Sequence, residues 1–234
     1  MAARKGTSPG TRLQLGASVL TAARAVDTTA VEVRLQRFDQ AHRNYVGAQR
    51  KLDTAEAQLR AAQTRLAELD AVQDEAVENL ACALVTDGQP RGNPFAAFDA
   101  PAPGTLTRCA FAEAAEAVHQ FVAVILRSKG VSEATTQAAK AADNAARALE
   151  QALAPITKLQ DSVRDARRLR DAVGQAWDSA LAALRRDTLA AADEGAPNLY
   201  ARLFQPLTRA AKTKTPEDAV PTHPPAPAAT PNAA

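Results

Sequence analysis

A seven-residue repeat of large apolar residues between positions 31 and 83 constrains the fold of this chain more than any other feature. The members of this first large row are Val31, Phe38, Tyr45, Leu52, Leu59, Leu66, Gln73 and Leu80. The row three positions later is mostly alanine: Arg34, Ala41, Ala48, Ala55, Ala62, Leu69, Ala76 and Ala83. Two seam positions in every seven residues are typical of a coiled-coil helix, whereas a half-buried strand would alternate every second residue. The repeat therefore predicts one long helix with a narrow apolar seam.

A second repeat of the same design lies between positions 138 and 184. Its large row is Ala142, Leu149, Ile156, Val163, Arg170, Trp177 and Leu184, and its small row is Ala138, Ala145, Ala152, Leu159, Ala166, Val173 and Ala180. Because the two designs mirror each other, we expect the two helices to pack as an antiparallel hairpin. Counted from the connector, Trp177 then lies opposite the stretch between Phe38 and Tyr45, so we expect these aromatic side chains to meet. Pro155 lacks a backbone N–H and clashes with the preceding turn, which predicts a kink.

Glycine and proline residues set the expected boundaries of the helices. The expected helical domain, residues 27–205, contains a long helix (28–86), a connector (87–109), a short helix (111–128), a second long helix (133–192) and a short helix (198–205). Residues 1–26 carry glycine and proline among small polar residues, which favours a flexible arm. Residues 206–234 are rich in Pro, Ala and Thr, which favours a disordered tail. Phe95 and Phe98 are expected to tuck against a helix and order the connector.

The amino-acid composition points to the same class of fold. Much of the 46% hydrophobic content is alanine, and aromatic residues make up only 4% of the chain. Apolar content of this kind suits helices that approach each other closely along a seam. We therefore predict an all-α fold, an elongated antiparallel coiled-coil helical hairpin with a short third helix near the connector end and disordered termini.

No catalytic, cofactor-binding or metal-binding motif stands out in the sequence. His42, His119 and His223 lie on separate segments, without a carboxylate or cysteine at metal-ligand spacing. Cys82 and Cys109 fit no CxxC or zinc pattern, which leaves two interpretations: free thiols in a reducing cytosol, or a disulfide that closes the connector. No stretch approaches the roughly 20 apolar residues that span a bilayer. We expect a cytoplasmic, non-enzymatic protein that needs no cofactor or metal.

Two sets of side chains are candidates for contact with a partner. They are the apolar residues Phe111, Phe121 and Ile125 of the short helix, and the basic run Arg164, Arg167 and Arg168. Asp161, Asp165 and Asp171 alternate with the arginines at helical spacing, which favours salt bridges on the surface. Because a phosphate-binding stripe needs basic residues without their own acidic partners, the sequence argues against nucleic-acid binding.

Charge is unevenly distributed along both long helices, although the chain as a whole has 28 basic and 26 acidic residues. Residues 28–65 have a net charge of +3, residues 66–86 of −5, and residues 158–186 of +3. In an antiparallel hairpin the two basic segments lie side by side, and the acidic segment lies at the connector end. We expect copies of the chain to associate head-to-tail or antiparallel through these complementary ends.

The expected function is that of a non-catalytic scaffold that mediates protein–protein interaction or self-association, its protein partner being unknown. The alternative is a helical protein that binds a membrane or a hydrophobic granule through exposed apolar helix faces. The two differ in one observable property. A surface binder exposes Phe111, Phe121 and Ile125, whereas a scaffold buries them.

Overall fold

The computed structural model describes residues 8–204. Its α-helices are α1 (Pro9–Ala23), α2 (Glu32–Thr86), α3 (Pro103–Leu106), α4 (Phe111–Arg127), α5 (Glu133–Leu153), α6 (Ile156–Asp193) and α7 (Leu199–Phe204), with 3-10 turns at Thr29–Val31 and Ala96–Phe98. No strand occurs among the described residues, and the predicted all-α helical hairpin is confirmed. The predicted tail, residues 206–234, and the first seven residues of the predicted arm lie outside the described part of the chain.

The long helices end where the sequence contains helix breakers. After α2, Gly88 adopts a φ of +93°, a left-handed conformation that residues with a Cβ rarely adopt. The second predicted long helix is divided at Pro155 into α5 and α6, as expected from the missing backbone donor. Ser132 begins α5 as an N-cap, because its hydroxyl accepts a hydrogen bond from the backbone N–H of Thr135.

The chain divides into two compact units. The terminal unit combines the residues up to His42 with those from Asp178 onward, and the central unit comprises Arg43–Trp177.

In the central unit, α2 runs antiparallel to α5 and α6. Three contacts along the pair show this: Asp87 with Ser132, Glu56 with Arg167, and Tyr45 with Trp177. The ring centroids of Tyr45 and Trp177 are 6.4 Å apart, so this part of the predicted aromatic cluster is confirmed. Phe38 belongs to the terminal unit, where its ring stacks on His42 with 6.2 Å between centroids.

The first large row is buried as predicted except at Leu59, which is half-buried. Phe38, Tyr45 and Leu80 are completely buried, and the polar member, Gln73, is only 2% exposed. The Oε1 atom of Gln73 has no hydrogen-bond partner among the described residues. Full burial of one leucine side chain stabilises the fold by roughly 1.5–3 kcal/mol. Burial of these side chains therefore stabilises α2 within each of the two units.

The connector is ordered by its aromatic residues, as expected. The ring of Phe95 stacks on that of Phe121 in α4, with 4.8 Å between centroids, and Phe98 is buried in the same cluster. This cluster joins the connector, α4, α5 and the C-terminal half of α2. The core of the central unit is therefore largest at the connector end.

The predicted flexible arm over residues 1–26 is wrong for residues 9–23, which form α1 in the terminal unit. The Cα of Gly16 lies against the ring of His42 so closely that a Cβ would overlap it. Arg12 holds the helix from a second side, because its Nε and Nη2 atoms donate to Asp178 at 3.1 and 2.6 Å. Val19 is completely buried. Gly16 thus allows α1 to pack closely against His42, although glycine in this segment had suggested flexibility.

The predicted short helix at residues 198–205 is present as α7, which also belongs to the terminal unit. Its apolar residues Leu199, Leu203 and Phe204 are buried, and α7 contacts α1. The guanidinium of Arg185 lies 5.3 Å from the ring centroid of Phe204, a cation–π distance.

Candidate interaction surface

The apolar surface expected on α4 is largely absent. Phe121 is 2% exposed and Ile125 is fully buried, whereas Phe111 is 37% exposed. The prediction that Phe121 and Ile125 form a contact surface is therefore wrong. The physical reason is that the connector folds over one side of α4, through Phe95, and α5 covers another.

A shallow groove of about 230 Å³ remains between the connector and the outer side of α4. It is lined by Phe98, Asp99, Ala100, Pro101, Ala117, Gln120, Phe121 and Val124. Val124 is 44% exposed at its edge. The exposed apolar area of α4 is thus confined to a few separated side chains.

The basic run on α6 is paired with acidic residues. Arg164 lies 2.9 Å from Asp161 and Arg168 lies 3.7 Å from Asp165, both within α6, in agreement with the salt-bridged surface expected from the sequence. Arg167 instead reaches across to Glu56 of α2 at 3.0 Å. Arg164 and Arg168 therefore form ion pairs within α6, whereas Arg167 joins α6 to α2.

His119 on α4 is held between two carboxylates of α5, a site that the sequence analysis missed. Its Nδ1 atom lies 2.6 Å from Oδ1 of Asp143, and its Nε2 atom lies 3.3 Å from Oε2 of Glu150. Asp143 also pairs with Arg147 at 2.8 Å. Because the two carboxylates approach opposite ring nitrogens, they cannot converge with the ring on one metal ion. The arrangement clamps α4 onto α5, and the described residues contain no group of three side chains with metal-binding geometry.

Two aspartates of the central unit have shifted pKa values. Burial, with Asp70 and Glu78 nearby, raises the pKa of Asp74 on α2. Hydrogen bonds from the backbone N–H of Ser132 and the hydroxyl of Thr135, at 2.9 and 2.7 Å, lower the pKa of Asp87. Asp87 therefore joins the end of α2 to the start of α5.

Burial lowers the pKa of His42 in the terminal unit, and the nearby charge of Asp39 opposes this shift.

Both cysteines are free thiols, so the disulfide interpretation is wrong. Cys82 is exposed on α2, where it lines an open groove of about 370 Å³ together with Val85, Arg91, Pro94 and other connector and α2 residues. The Sγ atom of Cys109 donates to the carbonyl of Thr105 at 3.3 Å.

Charge separates within the central unit along the direction of its helices. A basic section, residues 43–65 with 156–177, contains ten basic and five acidic residues. The remainder, residues 66–154, is an acidic section with six basic and 12 acidic residues. The net charges are +5 and −6, so the near-neutral total conceals two strongly charged sections.

Comparison with protein-family models, with curated proteins and with solved structures finds no match to this chain. In the part of the chain that the structure describes, no helix combines the length and the apolar character needed to cross a bilayer.

Proposed function

We propose that this chain is a non-catalytic coiled-coil scaffold that associates with itself or with a protein partner. The observation that carries the proposal is the charge separation in the central unit, with net charges of +5 and −6 on its two sections. Opposite potentials on one molecule attract the complementary section of another copy and disfavour a parallel arrangement, in which like charges meet.

The interior of the hairpin supports a structural role. Large seam residues alternate with alanine, and the buried side chains of the central unit are almost all apolar. Gln73 is the exception on the large row, and single polar seam residues are known to specify register and oligomeric state in coiled coils. The free thiols of Cys82 and Cys109 suit the cytoplasm, which we propose as the location.

The second candidate, a protein that binds a membrane or a granule, has lost its main support. It required Phe121 and Ile125 to be exposed, and both are buried in the core of the central unit.

Light scattering at two protein concentrations and at low and high salt tests the proposal. We expect a dimer at low salt that dissociates when salt is added, because salt screens charges on an exposed surface. A partner for the scaffold would then be sought by affinity capture at low salt. A monomer whose mass is independent of both salt and protein concentration would contradict self-association.

A further inference from the structure

The helix pair in the central unit has two flanks, and they differ in what covers them. The residues four positions after members of the large rows include Val77, Leu84 and Ala146, which are at most 1% exposed in the cluster that α4 completes. The residues directly before members of the large rows lie on the other side of the seam. We call this the open flank: Lys51, Gln58, Arg65 and Val72 on α2, with Ala148, Ser162, Leu169 and Ala176 on α5 and α6.

Two large apolar side chains on the open flank are exposed to solvent. Val72 is 51% exposed and Leu169 is 44% exposed. Since Arg167 pairs with Glu56 and Trp177 contacts Tyr45, Leu169 lies near the level of residues 52–54 of α2. Val72 is about 20 residues farther along α2, a distance of roughly 30 Å at the rise of an α-helix.

We propose that two copies of the central unit pack antiparallel through their open flanks, about a two-fold axis near Ala62. Ala62 lies midway between the levels of Leu169 and Val72. The two-fold axis therefore brings Val72 of one copy into the same layer as Leu169 of the other, and symmetry makes the same contact twice. This inference rests on the proposed self-association and names the surface that carries it.

Charge complementarity is the second argument for this arrangement. The same axis lays the basic section of each copy along the acidic section of the other. It also places Lys51 within about one helical turn of the level of Glu75 in the second copy, twice in the dimer. Both side chains are exposed, and neither has an ion pair with another described residue. Antiparallel packing thus provides ion-pair partners for Lys51 and Glu75, which have none among residues 8–204 of their own copy.

The apolar contact is tested with Val72→Glu and Leu169→Glu. Each variant places two carboxylates in the proposed interface, so we expect dimerisation at low salt to weaken at least tenfold. Val124→Glu is the matched control, since Val124 is equally exposed but lies on α4, away from the open flank. Circular dichroism establishes that each variant retains its helix content.

The charge contact is tested by exchange. Lys51→Glu and Glu75→Lys each create two like-charge contacts, and we expect the dissociation constant to rise a few-fold in each single variant. The double variant restores opposite charges and should regain most of the affinity. Arg60→Glu changes the net charge by the same amount as Lys51→Glu from a position off the open flank, and it should have a smaller effect.

Crosslinking distinguishes this surface from any other. In a Cys82→Ser, Cys109→Ser background, a short bismaleimide should link a Val72→Cys chain to a Leu169→Cys chain when the two are mixed. Neither variant should link to itself, because equivalent residues in the dimer are about 30 Å apart. If the dimer is salt-sensitive but none of these substitutions weakens it and no crosslink forms, the proposed surface is wrong although self-association is retained. A monomer at every concentration would overturn both.

Discussion

Gln73 occupies a position in the first large row where every other member is apolar. It is almost fully buried, and its Oε1 atom has no partner among the described residues. A buried polar atom without a hydrogen bond costs about 1–3 kcal/mol. The two histidines of the described helices differ in their surroundings: His42 is buried against the ring of Phe38, whereas both ring nitrogens of His119 face carboxylate oxygens.

Replacing Gln73 with leucine should stabilise the chain. Gln73→Leu removes the unpartnered oxygen and keeps a side chain of similar size, so we expect the free energy of unfolding to rise by about 1 kcal/mol. Urea denaturation followed by circular dichroism measures the change. The exposed Gln63→Leu is the control and should have little effect. A less stable Gln73→Leu variant would show that the amide is compensated in the folded state.

The buried His42 should make the terminal unit sensitive to acid. Burial lowers its pKa in the folded chain, whereas an unfolded histidine titrates near pH 6.5. The unfolded state therefore binds the proton first, so stability is complete above about pH 6.5 and declines as the pH falls through that value. The protection factors of the α1 amides, which are corrected for the slower intrinsic exchange at lower pH, should fall over this range.

In a His42→Gln variant this part of the acid sensitivity should disappear. His119→Gln serves as the control, because His119 lies in the central unit, whereas α1 and His42 belong to the terminal unit. An unchanged pH dependence of α1 exchange in His42→Gln would rule out His42 as its cause.

At the scale of helices, α1 makes one very close approach to α2 within the terminal unit, where Gly16 meets the ring of His42. Gly16 is buried there, and the Arg12–Asp178 pair joins the same helix to the start of the Asp178–Asp193 segment of α6. Helices that pack through glycine tolerate very little added volume, because the backbone itself forms the contact surface.

Gly16→Ala should release α1 from its position. The new Cβ would overlap the His42 ring, and overpacking of this kind costs roughly 1–3 kcal/mol. Limited proteolysis after Arg12 and Arg24 should become faster. Gly10→Ala is the matched control on the same helix, because a Cβ there meets nothing within 4 Å, so the variant should be neutral or slightly stabilising. Equal protease resistance in both variants would contradict the close contact.

Sequence periodicity was sufficient to predict the long helices and which of their residues face a partner helix. The Tyr45–Trp177 contact was predicted by assuming an antiparallel pair and counting residues from the connector, because a heptad alone does not fix the register. Periodicity was insufficient to predict α1, because the sequence alone does not distinguish a glycine in a flexible segment from a glycine at a helix contact. The His119 site was missed for a similar reason. Asp143 lies 24 residues away along the chain, and only the packing of α4 on α5 brings the two together.

At the scale of the whole molecule, the sum of charges is a poor guide to the surface. The chain has a net charge of only +2, yet it contains a basic section. In that section Arg164, Arg167 and Arg168 are each paired with an aspartate or a glutamate. Such pairs contribute little to stability when exposed, but they neutralise the cations that a phosphate backbone would need.

The chain should therefore bind duplex DNA only weakly at physiological salt. Asp161→Asn with Asp165→Asn would free Arg164 and Arg168 and raise the charge of the basic section, so we expect tighter retention on a heparin column. Glu113→Gln with Glu133→Gln makes the same change in charge at exposed positions within the acidic section and should shift retention less. Strong retention of the unmodified chain would contradict the protective role of these pairs.

The contact between Tyr45 and Trp177 also gives the protein an optical reporter of its own. Trp177 is the only tryptophan in the chain, it is completely buried, and its partner ring belongs to the opposite long helix. Its emission should be blue-shifted and excited in part by energy transfer from Tyr45. Any event that separates α2 from α6 at this level will therefore be visible as a red shift of a single fluorophore, without a label.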